Sequence, residues 1–203
     1  FYELNPSLGF YGGGGIDGRH YARGTPLNSA LMSGMFGGPK WGADYKKDLE
    51  QEFTHTAAFD GHTTSLPLAT NTVTLDPTLK DKWGRPALRC TYMDHPDDLA
   101  TMKFFFDKTG ELMEAAGAIR QAGSYPKNGQ EGNVHLLGTC RMGNDPASSV
   151  VDKYHRSHDV SNLFICDGSS LVTSGRGQPT MTIMALAFRA ADHMIQSARR
   201  GEI

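Results

Sequence analysis

Leu163-Phe164-Ile165-Cys166-Asp167-Gly168 and, a short glycine-containing stretch later, Gln178-Pro179-Thr180-Met181-Thr182 decide how the chain reads. The first run is wholly apolar and stops at Asp-Gly, which predicts a short strand buried on both faces. The second opens a helix over residues 180–200. Ile183, Leu186, Ala187, Ala190 and Met194 fall on one face, and Arg199 and Arg200 stand at the negative end. Pro179 suits the first helical position, because its fixed φ is preorganised for helix and its missing N–H costs nothing there; Gln178 then falls at the cap. Free N–H groups at such a helix start stabilise negative charge on a ligand. Asp167-Gly168 closes the strand where open parallel sheets place their ligands, and glycine allows close backbone approach.

Working back from these elements, residues 97–122 carry the longest helical pattern. Leu99, Met102, Phe106, Leu112, Met113 and Ala116 supply it, with Pro96 where helices start, Gly123 where they stop, and Gly110 and Gly117 interrupting it. Residues 55–59, 72–75 and 87–92 are strand candidates. The stretch between the last two, 76–86, is turn chemistry, so these two predict an antiparallel hairpin with a long tip. Residues 41–53 have helical spacing, with Tyr45, Leu49 and Phe53 on one face and Lys46, Lys47, Glu50 and Glu52 turned elsewhere. Residues 1–39 are rich in glycine and read as loop with one strand. Within them Gly13-Gly14-Gly15-Ile16-Asp17-Gly18 satisfies G-x-G-x-x-G, yet residues 19–26 do not read as the helix that a dinucleotide site requires. The stretch is therefore read as a flexible surface or cleft loop.

Composition narrows the function classes. The chain has 203 residues, 20 Lys and Arg against 22 Asp and Glu, a net charge of −2, and no basic face for nucleic acid. Its apolar runs fall far short of the roughly 20 residues that span a bilayer. Glycine is the outlier, 24 residues, and ten Phe and seven Tyr argue against disorder as the reason. Cys90, Cys140 and Cys166 give neither an even disulfide set nor zinc-ligand spacing, and all three read as buried thiols. No metal-ligand spacing links the histidines. The chain opens at Phe1 without an initiator Met, as a piece of something longer would.

The informative region is His135-Leu136-Leu137-Gly138-Thr139-Cys140-Arg141-Met142-Gly143-Asn144-Asp145-Pro146, followed by Ser149-Val150-Val151-Asp152, Asn162 to Ser169 and Gly177 to Thr182. In that order it resembles the C-terminal signature of the glucose–methanol–choline oxidoreductases, flavoenzymes that oxidise alcohols and sugars. The resemblance is specific over residues 135–194 and looser upstream. Within the family the flavoprotein subunits of gluconate and glycoside dehydrogenases look nearest. The N-terminal flavin fingerprint of the family is absent from this sequence.

The resemblance implies an α+β fold: an antiparallel substrate-binding sheet with helices packed on one face over residues 1–158, then a strand and helix at 159–203 that complete a flavin-binding domain. It implies FAD as cofactor, seated by Asp167, Gly168, Gln178, Pro179, Thr180 and Met181, and an alcohol or sugar as substrate. It also implies a missing N-terminal FAD-binding portion and an electron-accepting partner such as a cytochrome. Alcohol oxidation removes a hydride from the carbinol carbon and a proton from the hydroxyl, and a neutral imidazole suits the second task. His135 occupies the family's catalytic histidine position. Gln178 falls where the family usually has Asn or His, and an amide can hydrogen-bond the substrate oxygen but cannot act as a base. The competing reading is a non-catalytic ligand-binding or interaction module that keeps the fold, in which His135 is structural and Gln178 caps its helix. Burial of both side chains would favour that module, and an open cleft at both would favour the enzyme.

Overall fold

A computed structural model describes residues 5–19, 27, 30, 41–127 and 135–203. They fall into two compact units, one drawn from Phe1–Thr63 and Ala100–Pro126, the other from Thr64–Leu99 and Lys127–Ile203. The elements in order are β1 (Gly14–Arg19), α1 (Ala43–His55), β2 (Ala58–Thr63), β3 (Thr72–Lys80), β4 (Pro86–Thr91), α2 (Pro96–Ala115) and α3 (Thr180–Arg199), with single 3₁₀ turns at Pro6–Leu8 and Gly168–Ser170. The fold is α+β with small antiparallel sheets. In place of one substrate sheet, the described residues form two separate two-stranded ladders, β1–β2 and β3–β4.

In the first unit the glycine-rich stretch is strand β1, which corrects the reading of Gly13 to Gly18 as a flexible loop. It pairs with β2 in continuous register from Gly14↔Thr63 to Arg19↔Ala58. Glycine is needed here for proximity. A Cβ on Gly14 would lie 2.8 Å from the Phe105 ring and 2.3 Å from the carbonyl oxygen of His62, and one on Gly61 would lie 3.2 Å from Phe105 Cβ. Phe105, 1% exposed, thus lays α2 against one face of this ladder. Phe104 meets Phe105 edge-on and Phe10 at a tilt, extending the apolar cluster. Helix α1 begins and ends close to its predicted bounds, but Glu52, expected to face away from its apolar side, is buried. Arg120 approaches it at 3.6 Å and Asp48 at 3.1 Å. Helix α2 stops well before Gly123. Gly117, at φ +82, takes the left-handed turn that ends it, its N–H donating to Glu114 and that of Ala118 to Met113.

In the second unit the predicted hairpin forms. Thr72↔Thr91, Val73↔Cys90, Thr74↔Arg89 and Leu75↔Leu88 pair, and an irregularity follows between Leu75 and Lys80. Carboxylates shape its far end: Asp76 accepts from the N–H groups of Thr78 and Leu79, and Asp81 from those of Trp83 and Arg85. Core residues of this unit lie elsewhere, at Val151, His155, Ser170 and Ala190, all at most 1% exposed. Residues 163–166 do not form the expected strand buried on both faces. Leu163 is 45% exposed, and Phe164 makes one isolated antiparallel bridge to Arg156, because local turns absorb the backbone groups that a parallel neighbour would otherwise satisfy. The expectation of three buried thiols fails too. Cys90 is exposed on β4, and Cys140 and Cys166 are half-buried.

Candidate functional site

Segments 135–142, 167–172 and 178–183 belong to the second unit and come together at Gly168. A Cβ there would stand 2.7 Å from Leu137 Cδ2 and 3.1 Å from Ile183 Cδ1, so only glycine lets the turn after Asp167 sit between the motif segment and the first turn of α3. Backbone hydrogen bonds fix the rest. The N–H of Cys140 donates to the Ser169 carbonyl at 3.0 Å and that of Met142 to the Ser170 carbonyl at 2.8 Å. Gly138, at φ +91, would hold a Cβ 3.3 and 3.4 Å from the carbonyl oxygens of Leu171 and Val172.

Residues 141–165 form a buttress of irregular backbone behind this junction. Val150 N–H donates to Arg141, Gly143 N–H to Val151, and Val151 bridges both Met142 and Ser157. At its centre is His155, 1% exposed and at φ +66, a conformation few residues other than glycine adopt. Its Nδ1 lies 2.8 Å from the Ile165 carbonyl, while Nε2 is buried without a hydrogen-bond partner among the described residues. Helix α3 is fastened to the same buttress. Tyr154 stacks on His193 at 3.8 Å between centroids, and Arg189 Nη2 donates to the Lys153 carbonyl.

The predicted site residues take these places. His135 is half-buried, two residues before Leu137. Gln178 is exposed and stands one residue outside the expected cap position, because Pro179, at φ −80 and ψ −11, is itself the N-cap and its carbonyl accepts from Ile183. Neither His135 nor Gln178 forms a hydrogen bond with a described residue. No side chain caps α3, and Thr180 and Met181 in its first turn are exposed. Asp167 is exposed too, but its Oδ1 accepts from the N–H of Ser169, so this carboxylate shapes the 3₁₀ turn. Burial, with Asp167 adjacent, pushes the Cys166 thiol above its ordinary range.

Sequence reasoning passed over Asp98, Ser65 and Ser174. Asp98 is 2% exposed in the first turn of α2 and accepts from Ser65 Oγ and Leu66 N–H. An acid two residues after Pro96 signals a helix start, where negative charge is favourable. Nothing local to Ser65 or Ser174 marks them, since what joins them is a tertiary pairing. His155, which has no metal-ligand spacing to another histidine, is a core residue.

A family model described as GMC oxidoreductase matches residues 67–187, more than half of the chain. The chain is 38% identical over 195 residues to 2-methyl-1,2-propanediol dehydrogenase of Mycolicibacterium austroafricanum, covering 96% of this chain and 35% of that one. It is 30% identical over 162 residues to the gluconate 2-dehydrogenase flavoprotein of Pantoea cypripedii, covering 76% and 26%. Over 69 residues it is 45% identical to the fructose dehydrogenase large subunit of Gluconobacter japonicus, covering 34% and 13%. The chain thus spans about a third or less of the curated relatives it matches. It belongs to the GMC oxidoreductases, a generally FAD-dependent family, and what it carries is the family's C-terminal domain.

Proposed function

We propose that this chain is the C-terminal part of an FAD-dependent oxidoreductase acting on the CH–OH group of an alcohol or a sugar, with His135 as base and Gln178 orienting the reacting oxygen. The observation that carries this reading is the junction at Gly168, which joins the segment bearing His135 to the helix start bearing Gln178. Relatives named for a propanediol, for gluconate and for fructose point to a small polyhydroxylated substrate.

The residues present fit a flavin. The start of α3 is exposed and lacks a side-chain cap, so the N–H groups of its first turn are available to the negative edge of a reduced isoalloxazine, with Gln178, Pro179, Thr180 and Met181 around it. Gly168 lets the motif segment and this helix start pack together, and Asp167 holds the turn between them. Bound flavin supplies the hydride acceptor. His135 takes the hydroxyl proton on its imidazole, and Gln178 donates its amide N–H to the same oxygen without titrating. Residues 159–203 act as the return segment of the flavin domain and residues 1–158 as the substrate domain; the adenosine and pyrophosphate contacts come from polypeptide outside this chain. The gluconate and fructose relatives, named as a flavoprotein and a large subunit, support a partner that takes the electrons onward, a cytochrome being the expected class.

The test is His135→Ala in the intact flavoprotein. Flavin reduction by substrate should slow by roughly 10²- to 10⁴-fold, the range of a general base, with flavin content unchanged. Reduction at the parent rate would make His135 structural.

A further inference from the structure

The far end of the β3–β4 hairpin closes in a tight turn. Asp81 N–H donates to the Arg85 carbonyl at 2.8 Å and Gly84 N–H to the Asp81 carbonyl at 3.0 Å, which places Lys82 and Trp83 at the corner and Gly84, at φ +81, just beyond it. The carboxylates of this end serve the backbone. Asp81 Oδ1 accepts from the N–H groups of Trp83 at 2.8 Å and Arg85 at 3.0 Å, and Asp76 Oδ1 from those of Thr78 and Leu79. The N–H groups of Trp83, Gly84 and Arg85 thus find their acceptors within the turn itself.

What is left to the surroundings is cationic and apolar. Residues 77–86 are all exposed, Leu79 by 63% and Trp83 by 68%. Lys82 Nζ stands 4.3 Å from the centre of the Trp83 ring and the Arg85 guanidinium carbon 5.7 Å. Lys80, Lys82 and Arg85 form no salt bridge with a described residue, whereas Arg89, further along β4, lies in the field of Asp76. The hairpin carries four cations against two carboxylates in a chain whose net charge is −2, so positive charge is concentrated at this end. Lys is depleted in protein interfaces and Leu is under-represented among their energetic anchors. Two large apolar side chains at a turn also fall far short of the roughly 800 Å² per partner that a stable protein interface buries. An indole ringed by cations matches the headgroup layer of an anionic bilayer instead, and a turn whose N–H groups are already paired can leave bulk water at little cost.

We propose that the tip of this hairpin docks the protein on an anionic membrane surface, with Trp83 and Leu79 entering the headgroup layer and Lys80, Lys82 and Arg85 meeting lipid phosphates. The attachment is to one face of the bilayer, reversible, and weakened by salt. It goes beyond the activity proposed above and does not depend on it, since docking requires neither flavin nor substrate.

The experiment sediments the intact flavoprotein with vesicles of phosphatidylcholine alone or of phosphatidylcholine mixed with phosphatidylglycerol, at low and at high salt. The parent should partition onto the mixed vesicles and be released by salt. Lys82→Glu combined with Arg85→Glu should lower the partition coefficient by about tenfold or more, and Trp83→Ala by about fivefold. Lys82→Arg combined with Arg85→Lys should bind like the parent, and flavin content should be the same throughout. Equal binding to both kinds of vesicle, or binding untouched by the charge reversal, overturns the proposal. A parent that sediments with neither overturns it as well, and leaves the tip to a protein partner or to polypeptide outside this chain. If the charge reversal does not accumulate folded, Trp83→Ala alone must lower binding or the proposal falls.

Discussion

The β3–β4 hairpin and residues 138–170 lie in the same unit and solve opposite problems. The hairpin is a paired ladder, regular from Thr72 to Leu75, and almost wholly exposed, with Leu75 at 62% and Leu88 at 73%; the other stretch has hardly any regular structure, yet it encloses Val151, His155 and Ser170. The hairpin's backbone is satisfied by a ladder that any sequence of strand-formers supports. That of 138–170 is satisfied bond by bond, through pairs such as Met142 with Ser170 and Ile165 with His155. Regularity is thus no guide to where this unit stores its stability, and the candidate site is built on the irregular part.

The largest effect expected from this contrast is at His155. Changing it to Ala removes a fully buried ring, leaves the Ile165 carbonyl unpaired and keeps a non-glycine residue at φ +66, for a loss of about 3 kcal/mol in urea unfolding. His155→Asn should cost less, since Asn tolerates the left-handed region. Equal losses would show that backbone conformation contributes nothing here. Next comes Val151→Ala, at about 2 kcal/mol for a completely enclosed side chain. Leu88→Thr on the hairpin should stay within about 0.5 kcal/mol, as exposed substitutions do. A hairpin change costing as much as Val151→Ala would mean that the ribbon face is covered in the intact protein.

The smallest effect is one of sign. The N–H groups of Leu79 and Thr78 hold Asp76 below the ordinary carboxylate range, so the stability it lends is present at neutral pH and lost as the pH falls through its lowered value. Burial holds Asp98 above that range, so its contribution is greatest below the ordinary carboxylate value and declines as the pH rises through its raised one. Hydrogen exchange followed through acid should therefore show Leu79 losing protection on acidification while Leu66 does not lose it with the Asp98 titration. Asp98→Asn should flatten the second dependence. A matching slope at both amides would break the distinction.

How much could be read from the sequence follows the same divide. The hairpin, the helix from Thr180 and helix α1 come from local signals: turn residues between β-formers, a proline start, an apolar stripe. The segment after Gly13 was misread because glycine repeats look like loop until Phe105 arrives from far along the chain to fill the space their missing side chains leave. Leu163 to Cys166 was misread for the complementary reason. Apolar content suggested enclosure by a sheet, whereas the run lies among turns with Leu163 exposed. The roles proposed for His135 and Gln178 rest on the order of the motif alone, and the Asp98–Ser65–Ser174 chain could not be read at all, since none of its members is near another in sequence.

Cys90 sits opposite Val73 on the exposed ribbon, while the thiol of Cys166 is kept protonated by its surroundings. Thiolate is the form that reacts with maleimides and iodoacetamides. At mildly alkaline pH, Cys90 should be alkylated well ahead of Cys166. A fluorophore or spin label placed there would report from the hairpin on the approach of a partner protein, without touching the residues that hold the junction at Gly168.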